Sequence, residues 1–504
     1  MGDLLPLGAG AWVFIALYLL SLLVIGWVAR RAREADTLQD FYLAGNGFGF
    51  LVLFLTLFAT QYSGNTFFAF TGATYRLGYA WILSLHFMTA VVVAYLTFAP
   101  QLHRLARERR YLTPADYIAD RYGNPLLTLL VTVIMIVVLC NFLLAQLMAM
   151  GRAMQGLAHD AGGIAYAGGV VVLALIMVIY GTLGGLRAVA WTDAIQGGIL
   201  AVGFLVLLVL LIDHFGPLGD ATARILAADL ANDTRKALVP DAARCREWLS
   251  YILTVGFGIC LYPQAIQRIY AARSARALRR SLAVMAFMPL PTMLISLVAG
   301  IMALAYLPGL EGAAADQVFG RVLREIQSHS TLGYGLVVVT LAAVLAAMMS
   351  TADSALLSIS SMLTKDVCAG HLLRGASEST LTRIGKLSSW TLIAVLIVVA
   401  VMLREHASLV EIMDRKLDLL IQLVPAFILG LRWSGLRGTP VALGLAVGVT
   451  LALLLALLDL PFTARGKVYG FHPGLVALLP NLAIAVGGSL CATARAAPAG
   501  VASR

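Results

Sequence analysis

Residues 346–366 read A-A-M-M-S-T-A-D-S-A-L-L-S-I-S-S-M-L-T-K-D. Ala347, Ser350, Thr351, Ser354 and Ser358 recur at helical spacing and so share one face. Hydroxyls beside one carboxylate, Asp353, are hard oxygen donors of the kind a small hard cation such as sodium requires. A packing face of small residues explains the serines but leaves Asp353 without a purpose. A second polar run lies in F-L-T-L-F-A-T-Q-Y-S-G-N-T-F-F-A-F-T-G, residues 54–72, with Thr60, Gln61, Ser63, Gly64 and Asn65 at its middle. Glycine weakens a helix by roughly 1 kcal/mol relative to alanine. A break at Gly64 frees carbonyls for a cation; the alternative is a Gly that admits a neighbouring helix. Further on, Asp193 and Gln196 share a helix face after G-G-L-R-A-V-A-W-T-D. Asp193 alternatively caps the start of its helix. Gly256, Gly258 and Pro263 in T-V-G-F-G-I-C-L-Y-P-Q mark a second interruption.

These groups need elements to hold them, and the composition says which. Of 504 residues only 12% are charged, and the mean hydropathy is +0.89. Soluble domains carry about 25% charged residues, so a soluble multidomain enzyme, a disordered chain and a nucleic-acid binder are excluded together. Thirteen apolar segments are long enough for a span of about 20 residues. They run roughly over 11–29, 48–74, 79–99, 126–157, 163–182, 191–213, 247–263, 281–307, 332–363, 381–403, 408–432, 438–459 and 472–492. Period-two alternation is absent, so helices are the predicted spanning form. The first segment lacks a basic leader and a small-residue cleavage site and reads as a helix, not a signal peptide.

Placing the N-terminus outside puts 22 of the 36 Lys and Arg residues on the cytoplasmic side, with Arg187 and Arg268 among them. The +10 net charge then records orientation and not a nucleic-acid partner. The five cysteines form no C-x-x-C pair. No phosphate-loop, nucleophile-elbow or H-E-x-x-H motif occurs, which leaves gradient-driven transport as the class, with no enzyme activity and no organic cofactor. The two interruptions lie five helices apart, the spacing of two inverted five-helix repeats with broken first helices.

The stretch G-G-L-R-A-V-A-W-T-D-A-I-Q-G (184–197), the S-T-A-D-S helix (350–354) and P-Q-A-I-Q-R (263–268), in this order and spacing, resemble the sodium/solute symporter family. That family includes the sodium/proline, sodium/galactose, pantothenate and monocarboxylate symporters, and the resemblance covers roughly residues 10–490. It implies an all-α membrane protein of the LeuT-type inverted-repeat fold. The whole chain is one transporter domain, with a leading helix (11–29), a ten-helix core (48–432) and two trailing helices (438–492). It also implies a main sodium site at the carbonyls of Phe58, Gln61 and Ala347 and the hydroxyls of Ser350 and Thr351. A second sodium or proton site would use Asp193, Ser350, Asp353 and Ser354. Gln61 stands where the resemblance puts an essential aspartate of the proline symporters, and Asp353 where many members carry a neutral residue.

The solute is expected at mid-membrane between the broken helices. Ser63 and Asn65 on the first core helix, His86 on the second, Asn141 on the third and Phe257, Tyr262 and Gln264 on the sixth are the candidates. His86 has packing as its alternative. Glu411, Asp414, Arg415, Lys416 and Asp418 are too many charges for lipid and are expected to pair at the outer vestibule. The reading is a sodium-coupled symporter importing a carboxylate or amino acid. It works as a monomer in the cell inner (plasma) membrane, N-terminus outside and C-terminus cytoplasmic, with the solute and the bilayer as partners. A proton-coupled carrier using Asp353 or Asp193 and a transporter-like sensor with a signalling partner are the alternatives.

Overall fold

Apolar stretches of this length satisfy their backbone groups internally by coiling, and the chain does so throughout. The computed structural model describes residues 7–67, 69–157, 163–238, 240–310, 315, 318–329, 331–373, 375–404, 409–458, 460–464 and 466–496. The first half holds α1 (Ala9–Arg31), α2 (Leu38–Leu43), α3 (Phe50–Gln61), α4 (Gly64–Phe67), α5 (Ala69–Leu77), α6 (Leu83–Arg109), α7 (Pro114–Tyr122), α8 (Pro125–Leu157), α9 (Ile164–Gly184), α10 (Leu186–Phe215) and α11 (Leu218–Asn232). The second half holds α12 (Ala242–Ile259), α13 (Pro263–Ala271), α14 (Ala275–Met285), α15 (Pro289–Tyr306), α16 (Val318–His329), α17 (Thr331–Met362), α18 (Glu378–Met402), α19 (Leu409–Leu420), α20 (Gly430–Arg432), α21 (Gly438–Leu457) and α22 (Pro473–Ala496). One antiparallel hairpin, β1 (Thr463–Ala464) with β2 (Lys467–Val468), joins α21 to α22.

Among the described residues ten helices are long and apolar enough to cross a membrane. The bent pair of α12 and α13 adds an eleventh if it counts as one span. Thirteen apolar segments therefore do not become thirteen uninterrupted spans. The segment from residue 48 is split, its first piece α3 being only 12 residues long, and charges crowd α19. α17 runs through the centre, with 83% of its most apolar window buried against 22% for α1. α1 instead exposes Val13, Leu17, Leu20 and Val24, an apolar surface suited to lipid tails.

Both interruptions exist, but the glycines do not all cause them. The first falls at Tyr62, whose extended backbone (φ −105°, ψ 102°) ends α3. Gly64 follows the break and lets α4 press against α17: a Cβ there would lie 2.4 Å from Met348 Cγ. The second falls at Cys260–Tyr262, before Pro263 opens α13, and the two halves meet at 51°. Proline at the first helical position has no N–H to bond backward, so it starts a new helix without cost. Gly256 and Gly258 stay inside α12. Gly256 is there for close approach, since a Cβ would meet Ala90 of α6 at 2.9 Å.

The loop after α11 is tied down by one carboxylate. Asp229 accepts hydrogen bonds from the Thr234 hydroxyl and from the Ala237 amide (2.7 Å), and the Lys236 carbonyl accepts from Tyr79 N (2.9 Å). Burial pushes the Asp229 carboxyl up, but these bonds outweigh it and hold the group below its ordinary value. A lowered carboxyl stabilises fully above the unfolded value near pH 4 and loses that contribution as the pH falls through the folded value. Asp229→Ala is expected to cost about 1–3 kcal/mol in thermal unfolding in detergent, with a smaller deficit below pH 4. An unchanged melting temperature at pH 7 would show that the loop does not depend on Asp229.

Candidate functional site

The break in α3 faces α17. Ser350 Oγ donates to the Ala59 carbonyl (3.0 Å) and approaches that of Ala347 (3.3 Å), while Thr351 Oγ1 donates to Ala347 O (3.0 Å). All of these residues are buried. Ala347, Ser350 and Thr351 thus lie together on α17, as their spacing predicts, and Ser350 meets the end of α3. The α3 side differs by one residue from the expectation of Phe58 and Gln61. The Phe58 carbonyl accepts from Tyr62 N (3.1 Å) as a helical bond, and Ala59 is the residue that meets Ser350. The Gln61 side chain donates to Tyr95 OH of α6 (2.5 Å).

One helical turn further along α17 the structure departs from expectation more sharply. Arg268 of α13 is fully buried and pairs with Asp193 of α10, Nη2 to Oδ2 at 2.8 Å. The same guanidinium donates to Thr56 Oγ1 (2.8 Å), to the Gln264 carbonyl (3.0 Å) and to Ser354 Oγ (2.5 Å). Thr56 donates to Asp193 Oδ2 (2.5 Å). A protein cation therefore sits where Asp193 and Ser354 were expected to hold a second ion. Nor is Asp193 a helix cap, for α10 begins at Leu186 and Asp193 lies two turns inside. Asp353 is separate from the guanidinium but linked to it: Tyr180 of α9 donates to its Oδ2 (2.5 Å), and Ser354 Oγ lies 3.2 Å from its Oδ1. One buried guanidinium thus pairs with one of two buried carboxylates, Asp193, while Asp353 is reached from it through Ser354. Asp193 Oδ1 and Gln196 Oε1 have no partner among the described residues, so acceptors remain.

Further along α17 the hydroxyls bond to protein groups. Ser358 Oγ donates to Gln267 Oε1 (2.5 Å) and Gln267 Nε2 to Ser361 Oγ (2.6 Å). Tyr42 OH lies 2.8 Å from Ser360 Oγ, and Asn46 Nδ2 donates to Tyr270 O (2.7 Å). The stripe is divided: Ser350 meets α3, while Ser354, Ser358 and Ser361 fasten α13. Arg187, counted as a loop charge, is likewise buried and pairs with Asp40 at 2.8 Å. Without Arg187 and Arg268, the basic residues expected on the cytoplasmic side number 20 of 36.

The expected solute residues do not all converge. Tyr262 is buried at the second break and stacks on Phe142 of α8, centroids 5.2 Å apart and planes within 9°. Gln264 is fully buried, with both side-chain amide atoms unpartnered among the described residues. Asn141 and Phe257 are half-buried and Ser63 is buried at the first break. His86 is exposed and packs edge-on against Trp248 at 5.4 Å, so it turns away from the breaks. The side chains of Asn65, Glu411 and Asp414 lie outside the described residues. Arg415 and Asp418 pair at 3.8 Å, as the charge excess on α19 suggested.

A family model described as the sodium:solute symporter family matches residues 41–448. The chain belongs to the sodium:solute symporter family. This symporter is similar to a sodium/pantothenate symporter of Escherichia coli strain K12, 26% identical over 474 residues that span 92% of this chain and 93% of the relative. It is also similar to an osmoregulated proline transporter of Bacillus subtilis strain 168, 24% identical over 472 residues and 92% of each chain. Its fold is similar to that of a sodium-coupled sialic acid symporter in a substrate-bound outward-open state, with TM-score 0.78, 16% identity and coverage of 99% and 100%. A nucleobase-cation-symport-1 family transporter in a closed conformation is more distant, at TM-score 0.56 and 14% identity. The expected LeuT-type fold and solute-symporter class therefore hold for this protein.

Arg268, Thr56, Tyr180, Tyr95 and Phe142 are the residues of the symporter's centre that spacing did not single out. For Arg268 a signal existed: it stands four residues after Gln264 on the helix that Pro263 starts, which places it inside a helix and not in a loop.

Proposed function

We propose that this symporter imports a small organic solute, a carboxylate or amino acid, by coupling it to sodium entry. The observation that carries the reading is the meeting of Ser350 with the Ala59 carbonyl where α3 ends. In the proposed site the sodium ligands are the carbonyls of Ala59, Ala347 and, one turn on at the break, Tyr62, with the hydroxyls of Ser350 and Thr351 completing the oxygen set. Sodium there would hold α17 and α3 together, and the solute would bind between the breaks at Tyr62 and Cys260–Tyr262 before the core rocks. Sodium gains about 2.3 kcal/mol per 100 mV on entering a negative interior. The N-terminus is proposed outside and the C-terminus in the cytoplasm of a bacterial plasma membrane, with one chain as the working unit.

A second reading has its own observation. Asp193 pairs with the buried guanidinium and Asp353 reaches it only through Ser354, so a second coupling cation, a proton or another sodium ion, fits beside Asp353. Uptake of a carboxylate and amino-acid panel into proteoliposomes tests both. Uptake that requires an inward sodium gradient supports the first reading; uptake that persists without sodium and scales with an imposed pH gradient overturns it. Asp353→Asn is expected to keep sodium-driven uptake within about threefold and to flatten its response to an imposed pH gradient, because the charge it removes is not at the Ser350 site. Complete loss of sodium-driven uptake in a folded Asp353→Asn protein would place the driving ion at Asp353 instead.

A further inference from the structure

Basic groups from two helices converge on one ring of α2. Lys386 of α18, half-buried, has its Nζ 5.3 Å from the centroid of Phe41. Arg33, two residues past α1, has its guanidinium carbon 5.4 Å from the same centroid. Arg33 and Arg30 are the basic charges that bear on Lys386, and Asp36 is the acidic one. Glycines fix this approach. A Cβ on Gly385 would collide with the Tyr42 hydroxyl, so α18 is pressed against α2 next to Lys386. A Cβ on Gly184 would lie 2.8 Å from that of Ala29, which seats the end of α1 on α9. Like charges held together repel, and the carboxylates at hand serve other groups. Asp36 bonds Arg33 (2.8 Å), and Asp40 is shared by Arg187 (2.8 Å) and Arg33 (3.4 Å). The side chains of Lys386 and Arg30 make no hydrogen bond or ion pair among the described residues.

The surface beside these charges says which anion fits. One turn from Arg30 lies the exposed Trp27, and one turn from Lys386 the exposed Trp390. Tryptophan at that depth is the residue of the membrane–water boundary. Further along the same helices Leu20 and Val24 of α1 and Val395 and Val398 of α18 are exposed. A ligand that uses both levels has an anionic head and long apolar tails. We propose that Arg30 and Lys386 hold the phosphate of an anionic phospholipid whose chains lie along α1 and α18. Basic clefts between membrane helices take such headgroups. Arg33, already bonded to Asp36 and Asp40, holds its place beside them. A lipid bound there bridges α1 and α18 across α2, so the stability of the folded chain depends on lipid charge. A zwitterionic lipid brings its own ammonium to the cluster, and a free phosphate makes no use of the apolar surface.

The test uses the purified full chain in detergent, given mixed micelles of either phosphatidylglycerol or phosphatidylcholine. Native mass spectrometry measures the lipid retained, and thermal unfolding measures its effect. Phosphatidylglycerol is expected to be retained more strongly and to raise the melting temperature above that in phosphatidylcholine. Arg30→Gln with Lys386→Gln should weaken phosphatidylglycerol retention by roughly 10- to 30-fold, the attraction of two basic groups for an anionic headgroup. Its melting temperature in phosphatidylcholine should match that of the wild type, which shows that it folds. Arg279→Gln with Arg280→Gln removes two exposed charges from α14 and should leave phosphatidylglycerol retention unchanged. Equal retention of the two lipids, or full retention of phosphatidylglycerol by the Arg30 and Lys386 variant, overturns the site. An equal loss in the α14 variant also overturns it, since overall charge then sets the binding. Water-soluble glycerol 3-phosphate that stabilises the protein as well as the lipid does would overturn the lipid assignment and place a soluble anion at the cluster.

Discussion

Arg268→Gln is expected to abolish solute uptake and to destabilise the folded protein by about 3–5 kcal/mol, the usual consequence of removing one partner of a buried ion pair. The reason is the geometry of the guanidinium. Arg268 has no exposed surface, and its donors reach Asp193, Thr56, Ser354 and the Gln264 carbonyl. Four elements, α3, α10, α13 and α17, meet on one side chain. A glutamine is shorter and neutral, so Asp193 stays buried with its charge uncompensated. Thermal unfolding in detergent and uptake in proteoliposomes measure the two effects. The pair reading also makes a claim that a general packing defect does not. Arg268→Gln with Asp193→Asn removes both charges and should recover much of the lost stability, since neutral replacements of a buried pair are often tolerated. Uptake need not return, because the fastening of α13 to α17 stays weakened. If the double variant is less stable than Arg268→Gln by the full cost of Asp193→Asn, the two residues act independently and the pair is not the source of the effect.

Ser350→Ala and Thr351→Ala are expected to weaken sodium binding by roughly 10- to 100-fold each, the loss of one oxygen donor from a compact set of hard ligands. Sodium-dependent thermal stabilisation without solute reports this directly. The comparison that gives the experiment its meaning is Ser358→Ala. Ser358 lies on the same face of α17, two turns beyond Ser350, but its hydroxyl is given to Gln267 of α13. Its removal should cost about 0.5–1.5 kcal/mol of stability and leave the sodium response unchanged. Equal losses of sodium affinity at all three positions would mean that α17 packing, not ligation, sets the response. No loss at Ser350 or Thr351 would move the main ion site elsewhere.

Much of this arrangement was legible in the residues. Low charge and long apolar runs demanded membrane helices, since backbone groups in lipid can be satisfied only within the segment. Polar residues at 60–65, 193–196 and 350–354 pointed to the centre, because their burial needs compensation. Helical period placed Ala347, Ser350 and Thr351 together, and they are together. Pro263 announced the second break for the reason it occurs, a missing backbone donor and a fixed φ. The glycines were less informative: Gly256 reads as an interruption in the sequence but serves a helix contact with Ala90.

What the tertiary structure alone decided is which faces meet. The period of a helix fixes which of its residues share a face, but its rotation and depth are set by the neighbours it packs against. Nothing in the order of residues brings Arg268 to Asp193, 75 positions away, or gives Ser354 to that arginine and not to an ion. The same freedom explains the one-residue shift from Phe58 to Ala59 at the break, where the regular period ends and no longer predicts direction. It explains the turn of His86 toward Trp248 and the seat of Lys416 on Phe142. The sequence by itself determined a helical symporter with two broken helices and an oxygen-rich face. The packing of α10, α13 and α17 decided that a guanidinium already neutralises one of the carboxylates, because only there do residues distant in the chain share one buried volume.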